Sequence, residues 1–450
     1  MAFVHPGSCE CNKSELDFFA LPPTQTAIDK SYWVEHRPLT TLSDDGGPIE
    51  FVISGSGEEY IDLSETYLQV KAKIVKSDTG GELEQTETTT SGTDGSTTTT
   101  PGADAGVGPV NNFLHSMFSQ VDVSLNERLV TPSTNTYPYR AYIETLLTYG
   151  PAAKESQLTQ ALWYKDKAGF MDDTTTHNDG FTQRRKWIKN SREVEMMGKL
   201  HLDLAFQEKP ILNGVDIKMR LIRSKNAFCV MGDGKVVIKD VSLYVRKIKV
   251  NPTVQLAHIK ALDRASAKYP IRRIETKVFS IPKGNMTANQ ENLFLGQLPK
   301  RIILGLVDNK AFSGHKEKNP FNFDHNNVDF LALYVDGAQV PSKPLQPDFN
   351  NNLFIRSYAS LFMGTGQMGH DEGNHISRDD YAKGYTLFAF DLTPDLDDGG
   401  HFHLVKQGNL RLELKFSEAL DNTVNVVVYA EFDNVIEIDK SRNVLFDYSA

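Results

Sequence analysis

Cysteine is scarce in this chain: Cys9, Cys11 and Cys229 are the three among 450 residues. So few excludes a disulfide framework and fits a reducing compartment. Cys9-x-Cys11 has no second pair at zinc-site spacing, which excludes a four-ligand structural zinc motif. Long hydrophobic runs are missing too. No window reaches the ~18 uninterrupted apolar residues of a membrane-spanning helix, so integral membrane insertion is not expected. The opening "MAFVHPGSCECNKSELDFF" lacks a basic stretch followed by a long apolar core, so secretion by a signal peptide is not expected. Positive charge is nowhere concentrated. The formal net charge is −10, and counterion release favours nucleic acid only where Lys and Arg gather. Direct nucleic-acid binding is therefore not expected. The densest basic run, "RRKWIKNSR" from Arg184 to Arg192, reads as a solvated loop or a patch facing a neighbour.

Signatures of catalysis are equally thin. "GDGK" at 232–235 lacks the upstream glycine and the Ser/Thr of a phosphate loop and reads as a hairpin turn. No Gly-x-Ser-x-Gly elbow and no Cys/His nucleophile arrangement stands out. His401-x-His403, in "GGHFHLVKQGN", could place two imidazoles on one strand face, as metal-binding jelly rolls do. At the offset where such a site needs a carboxylate stand Gln407 and Gly408, so both histidines are expected on a polar face or loop. "GHDEGNHISRDD" (369–380) gathers His370, Asp371, Glu372, His375, Asp379 and Asp380 without the i, i+4 spacing of a zincin helix. Its internal glycine marks a surface loop. Neither a catalytic residue nor a cofactor or metal is expected, and the chain is not expected to be an enzyme.

What the sequence has in abundance is alternation. "NLRLELKF" puts Leu410, Leu412, Leu414 and Phe416 on one face and Arg411, Glu413 and Lys415 on the other. "VDIKMRL" does the same with Val215, Ile217, Met219 and Leu221, and "TVNVVVYAEF" lines up Val424, Val426, Val428, Ala430 and Phe432. Period two marks half-buried antiparallel strands. Helical stretches are few: "RAYIETLL" (140–147), "SQLTQALWY" (156–164) and "VQLAHIKALDRASAK" (254–268). One segment is of another kind. Residues 80–109, rich in Thr, Gly and Ser, cannot bury enough surface to offset the entropy of ordering them, and are expected as a disordered loop inserted between strands.

The chain also repeats itself. "VDVSLNERLVTPSTNTYPYRAYIETLL" (121–147) returns as "LALYVDGAQVPSKPLQPDFNNNLFIRSYASLF" (331–362). Polar tips, Asn126-Glu127 and Asp336-Gly337, fall between strands, and Arg140-Ala-Tyr142 corresponds to Arg356-Ser-Tyr358. "IEFVISGSG" (49–57) is echoed by "TKVFSIPKG" (276–284), and "NGVDIKMRLI" (213–222) by "QGNLRLELKF" (407–416). Each half closes on a β-rich run, 235–250 and 423–438. Two tandem domains of one fold follow, of a size that suits 450 residues. Irregular loops argue against a meander or propeller and for two face-to-face antiparallel sheets in jelly-roll order. The expectation is an all-β chain of two tandem eight-stranded jelly-roll sandwiches with a few short helices. Its parts would be an N-terminal arm (1–45), a first jelly roll (46–250), a partly helical linker (251–270), a second jelly roll (271–438) and a C-terminal tail (439–450).

"YWVEHRPLTTL", "GPIEFVISGSGEEYIDL", "NFLHSMFSQVDVSLNERLV", "STNTYPYRAYIETLL", "FLALYVDGAQVPSKPLQPDF", "GYTLFAFDLTPDL" and "NVVVYAEFDNVIEID" resemble the major capsid (hexon) protein of Polinton/Maverick elements and adintoviruses. The resemblance runs from about residue 17 to the C-terminus. "NNFLHSMFSQVDVSLNE" has a weaker similarity to iridovirus-type major capsid proteins. The resemblance implies a double jelly-roll coat protein. It would form homotrimers whose six jelly rolls imitate a hexagon and tile an icosahedral shell beside neighbouring capsomers and a minor (penton) capsid protein. It also implies residence in the virion after assembly inside the host cell, with the nucleus suggested by the family's replication cycle. Candidate ties between capsomers are Phe18, Phe19, Tyr32 and Trp33 ahead of the first jelly-roll strand, and Leu445, Phe446 and Tyr448 after the last. The alternative for each is packing on its own domain. A tandem β-sandwich that binds a ligand or carbohydrate is the other function such a fold supports.

Overall fold

The computed structural model describes residues 6–11, 13–42, 46–55, 57–85, 88–91, 97–100, 102–371, 373–396 and 401–446. The first half contributes eight strands to two sheets. These are β1 (Ile28–His36), β2 (Ile49–Ile53), β3 (Glu59–Lys76), β4 (Phe118–Leu125), β5 (Arg128–Leu129), β6 (Val194–Lys199), β7 (Ile217–Arg223) and β8 (Gly234–Val250). One sheet runs β1-β8-β3-β6 and the other β2-β7-β4-β5. The second half contributes β9 (Ala267–Ile281), β10 (Thr287–Gln297), β11 (Arg301–Asp308), β12 (Val328–Val335), β13 (Ala338–Leu345), β14 (Leu387–Asp391), β15 (Gln407–Phe416) and β16 (Val424–Ile438). Its sheets run β9-β16-β11-β14 and β10-β15-β12-β13. Adding eight to every first-half label reproduces the second-half order. The fold is an all-β double jelly roll.

Alternation builds the sandwich interiors. Leu410, Leu412, Leu414 and Phe416 of β15 are buried, as are Ile217, Met219 and Leu221 of β7. Removing such side chains from water supplies about 25 cal/mol per Å² of apolar surface, the main favourable term in holding two sheets together. The hairpins after β4 and β12 use one device twice. Both central residues have positive φ: 46° and 67° at Asn126-Glu127, 48° and 83° at Asp336-Gly337. That is the twist-matched turn of a two-residue hairpin. Each tip is tied to the entrance of a strand beyond the next crossing. Asn126 N–H donates to the Asp216 carbonyl (2.9 Å) before β7, and Asp336 N–H to the Asn409 carbonyl (3.0 Å) in β15.

Several sequence expectations shift. Three of the echoes fall on equivalent strands, but 49–57 and 276–284 do not. β2 occupies the place of β10, whereas 276–284 is the end of β9 and its turn. The glycine turn after a strand was matched there, one strand out of step. The expected arm (1–45) contains β1, which pairs with β8 from Ile28↔Val250 to His36↔Leu243. The linker helix, Pro252–Leu262, is followed by β9 from Ala267, earlier than expected. The Thr/Gly-rich insert is ordered at both stems: Leu83 and Val107 are buried, and Asp104 N–H donates to the Glu84 carbonyl (3.0 Å). Thr88–Ser91 pairs with Thr97–Thr100, while 86–87, 92–96 and 101 lie outside the described residues. The run from Arg184 is not a plain loop either: its first five residues form the second half of a helix, Asp179–Ile188.

Gly305 sits in β11 with the Phe323 ring and Leu387 packed where a side chain would begin. Gly305→Ala should lower stability by about 1–3 kcal/mol through overpacking, read as a drop in melting temperature. Phe323→Leu in the same background should recover part of the loss.

Candidate functional site at the seam between the halves

Nine consecutive residues of β16, Val424 to Phe432, are buried, and so are seven in β11, Arg301 to Val307. A strand with one wet face cannot show that pattern. The second face of the β9-β16-β11-β14 sheet is covered by the first half. The helix α1 (Tyr137–Thr148) contributes Ile143 and Leu147 to a cavity of about 430 Å³ whose far wall includes Ile303, Tyr429 and Glu431. Polar groups on this face must then find partners inside the protein.

They find them in the helix. Arg140 pairs with Glu144 one turn on (2.9 Å) and with Asp203 (2.8 Å). Glu144 also accepts from His201 Nδ1 (2.5 Å) and from the Tyr429 hydroxyl of the second half (3.3 Å). Asp203 accepts from the Ile274 N–H of β9 (3.4 Å). Burial alone would depress the Arg140 guanidinium, but Glu144 and Asp203 outweigh it and hold it charged. Burial raises Glu144 as well, and Arg140 and His201 more than reverse this, keeping its carboxyl below the usual range. For Asp203 burial wins, and its carboxyl is pushed up. His115, edge-on to His201 at 4.7 Å, is held well below the ordinary imidazole range by burial and then by the neighbouring His201 charge.

A second network lies across the same seam. Let α2 denote Asp179–Ile188, capped by the Asn178 side chain. Its Arg184, fully buried, donates to Asp166 (2.6 Å) and to the carbonyls of Pro109 (2.9 Å) and Tyr164 (2.5 Å). The Asp166 carboxylate also accepts from Asn178 (2.9 Å) and, from the second half, Asn319 (3.1 Å). The Tyr385 hydroxyl donates to the Asp166 carbonyl. Tyr142 stacks on Phe321 at 4.2 Å. Lys165 bridges to Asp380 (2.7 Å). Lys154 donates to the carbonyls of Leu146 (2.7 Å) and Asn374 (2.6 Å). Burial, seconded by the charge of Lys165, lowers its ammonium from 10.5 to about 7.

The residues expected at interfaces are dispersed. Phe18 and Phe19 are 77% and 96% exposed, clear of both sandwiches. Tyr32 and Trp33 lie on β1, at a sheet edge: the Tyr32 hydroxyl meets Glu59, and the Trp33 indole donates to the Glu65 carbonyl (3.2 Å). Leu445 pairs with Glu437 of β16. Phe446 lies under the Arg128 guanidinium at 4.3 Å. Arg128 also donates to the Val444 carbonyl (2.6 Å), and Arg442 to the Asn213 carbonyl (2.7 Å). The tail thus straps the second half to the first. Tyr448 lies outside the described residues. Sequence reading missed the seam itself. It took Arg184 for a surface charge and 369–380 for a plain surface loop, although Asn374 and Asp380 hold Lys154 and Lys165. The available signal was "VVVYAEF", an apolar run that does not alternate.

Asp166→Asn leaves Arg184 buried without its counter-charge and should cost about 3–5 kcal/mol. The Asp166→Asn/Arg184→Met pair should lose less than the two singles together, read from denaturant midpoints as a double-mutant cycle. Lys154 gives a pH prediction. The unfolded chain binds its proton more tightly than the folded one between about 7 and 10.5, so stability rises with pH across that window. Lys154→Met should remove the slope. Its advantage over the parent should be greatest at and below about pH 7 and fade towards 10.5 in paired urea titrations.

No family model matches the chain. An uncharacterised Caenorhabditis elegans protein, F54H12.2, is 28% identical over 442 residues, covering 95% of this chain and 99% of its own. Among solved structures, the Sputnik virophage structure aligns with a TM-score of 0.64 at 10% identity, over 99% of this chain and 94% of that one. The Faustovirus major capsid protein aligns at 0.59 and 10%, over 95% and 92%. The mavirus major capsid protein aligns at 0.53 and 12%, over 99% and 95%. Across nearly their full lengths, these chains share the double jelly-roll fold.

Proposed function

We propose that this chain is a structural coat protein that forms pseudo-hexagonal homotrimers and tiles an icosahedral shell. The observation that carries the reading is the duplicated strand order locked across a charged, largely buried seam. Three copies of such a two-sandwich body present six similar units around a ring, and head-to-tail contacts between first and second halves can close it. Interfaces of that permanence usually bury more than about 2,000 Å² and depend on area, not chemistry. The full-length likeness to the Faustovirus and mavirus major capsid proteins supports the same reading, which is of a structural role and not of an enzyme. The motifs from "YWVEHRPLTTL" to "NVVVYAEFDNVIEID" favour the Polinton/Maverick and adintovirus lineage. A nearly full-length relative encoded by an animal supports an integrated element as the source. A minor (penton) protein would fill the shell's vertices, and the virion would be the final location. Among the described residues no helix is long and apolar enough to cross a membrane.

Of the candidate ties among the described residues, Phe18 and Phe19 suit a neighbouring capsomer best, because they alone of these stand clear of their own fold. The solution mass of the purified chain tests the trimer. Three copies of 50.3 kDa should scatter as a particle of about 150 kDa with hexagonal outlines in electron micrographs. A stable, folded monomer would point instead to a tandem binding module. Deleting residues 1–24 tests the arm. The cut stops before Gln25, whose side chain bonds Ile28 at the start of β1 (2.9 Å), so the sheet edge survives. Trimers should form and shells should not. Shells built from the truncated chain would remove Phe18 and Phe19 from the assembly contact.

A further inference from the structure

We propose that Asp395, His401 and His403 form a zinc site that clasps the loop between β14 and β15. Their ligand atoms all lie within 4.8 Å of one another. His401 Nε2 is 3.0 Å from Asp395 Oδ2, and His403 Nδ1 is 3.6 Å from Asp395 Oδ1. Zinc bonds of 2.0–2.1 Å in a tetrahedron put neighbouring donors about 3.3 Å apart, so each imidazole stands near that spacing from one of the two Asp395 oxygens. The two imidazoles meet edge to face with centroids 5.0 Å apart, on the same side of the chain.

The loop is built to hold them. Its stems are fixed to one short piece of backbone: Leu392 N–H donates to the Lys300 carbonyl (2.7 Å), and Leu298 N–H to the Lys406 carbonyl (2.8 Å). Thr393 is held by the Asp391 carboxylate through its N–H (2.8 Å) and its hydroxyl (2.6 Å). His403 N–H reaches Asp433 of β16 (3.4 Å), which pairs with Lys300 (3.3 Å). The His403 side chain is 12% exposed, so one ligand is anchored and the other two close over it from the solvent side. Residues 397–400 lie outside the described residues and supply none of the three.

Two imidazoles and one carboxylate suit zinc, since calcium and magnesium prefer all-oxygen shells. Among the described residues the group supplies three ligands, and a fourth position is open to water. The sequence pattern hid the site because the carboxylate comes from upstream of His-x-His, six residues before His401, and not from downstream as in metal-binding jelly rolls. What the clasp would fix is an apolar display: Leu396, Phe402, Leu404 and Val405 are 52–90% exposed on this loop.

Zinc titration calorimetry tests the site on untagged full-length protein carrying Cys9→Ser and Cys11→Ser, which removes the exposed thiols as competing ligands. One zinc per chain is expected, with a rise in melting temperature over the same protein in EDTA. His403→Gln and Asp395→Asn should each weaken binding beyond the roughly 10–100-fold that loss of an outer partner costs. His370→Gln, in the other histidine-rich loop, should change nothing. Absence of stoichiometric uptake, or uptake that persists in the Asp395→Asn/His401→Gln/His403→Gln chain, would overturn the proposal. The measurement reads the chain in any oligomeric state, so its failure leaves the coat-protein reading where it stood.

Discussion

The constraint on which the architecture rests is that the central strands of one sheet, β11 and the first nine residues of β16, are dry on both faces. In an ordinary jelly roll the outward positions of a central strand meet water and can be charged at little cost. In β16 those positions are Asn425, Val427, Tyr429 and Glu431, all buried. A buried carboxylate without partners would neutralise or disrupt the fold. Arg301 at 3.2 Å from Glu431 and Tyr429 reaching Glu144 meet that demand. The first half answers with helix α1 and its own paired charges. Such networks are costly to assemble and more costly to break, so they specify one relative placement of the halves more than they add net stability.

This explains why so much of the fold, and so little of the seam, was legible in the sequence. Alternation is a local code: Leu410 to Phe416 announce a sandwich face without reference to anything distant. The hairpin tips are also local, because Asn126 and Asp336 tolerate positive φ and the turn needs it. Asp166 and Arg184 are different. Eighteen residues apart in sequence and paired directly, with Asn319 of the second half on the same carboxylate, they have the composition of a surface and the environment of a core. Only the three-dimensional path of the chain brings them together, and no spacing rule encodes that path. The one strand mismatch, 49–57 against 276–284, arose for a related reason, since strand-then-glycine recurs at nearly every corner of a jelly roll.

The repeat itself shows where duplication stopped being symmetric. Helix α1 begins after Thr136 and the helix Ile355–Met363 after Phe354, each from a residue at φ −121°, ψ 18°. Counted from those positions, Arg140 and Arg356 are two residues out of step. The offset turns them to different faces, by about 200° on a helix of 3.6 residues per turn. Arg140 enters the seam. Arg356 stays outside and donates to the carbonyls of Pro344 (3.0 Å) and Lys343 (3.1 Å) at the end of β13. The likeness of Arg-Ala-Tyr to Arg-Ser-Tyr therefore marks equivalent helices, but neither the same position on them nor the same work.

That asymmetry bears on how a two-sandwich chain could serve as a tile. Two similar units joined by a flexible linker would sample many angles, and a ring of three such chains would close in many shapes. Here the helix between the halves, Pro252–Leu262, has no buried residue and contributes little to their relative placement. The seam and the C-terminal strap, with Arg442 on Asn213 and Arg128 on Val444, supply it. On the coat-protein reading, the pseudo-hexagon is then fixed within each chain before any neighbour arrives. Trimerisation has only to match preformed edges, and the entropy of ordering the halves is met during folding, not during assembly.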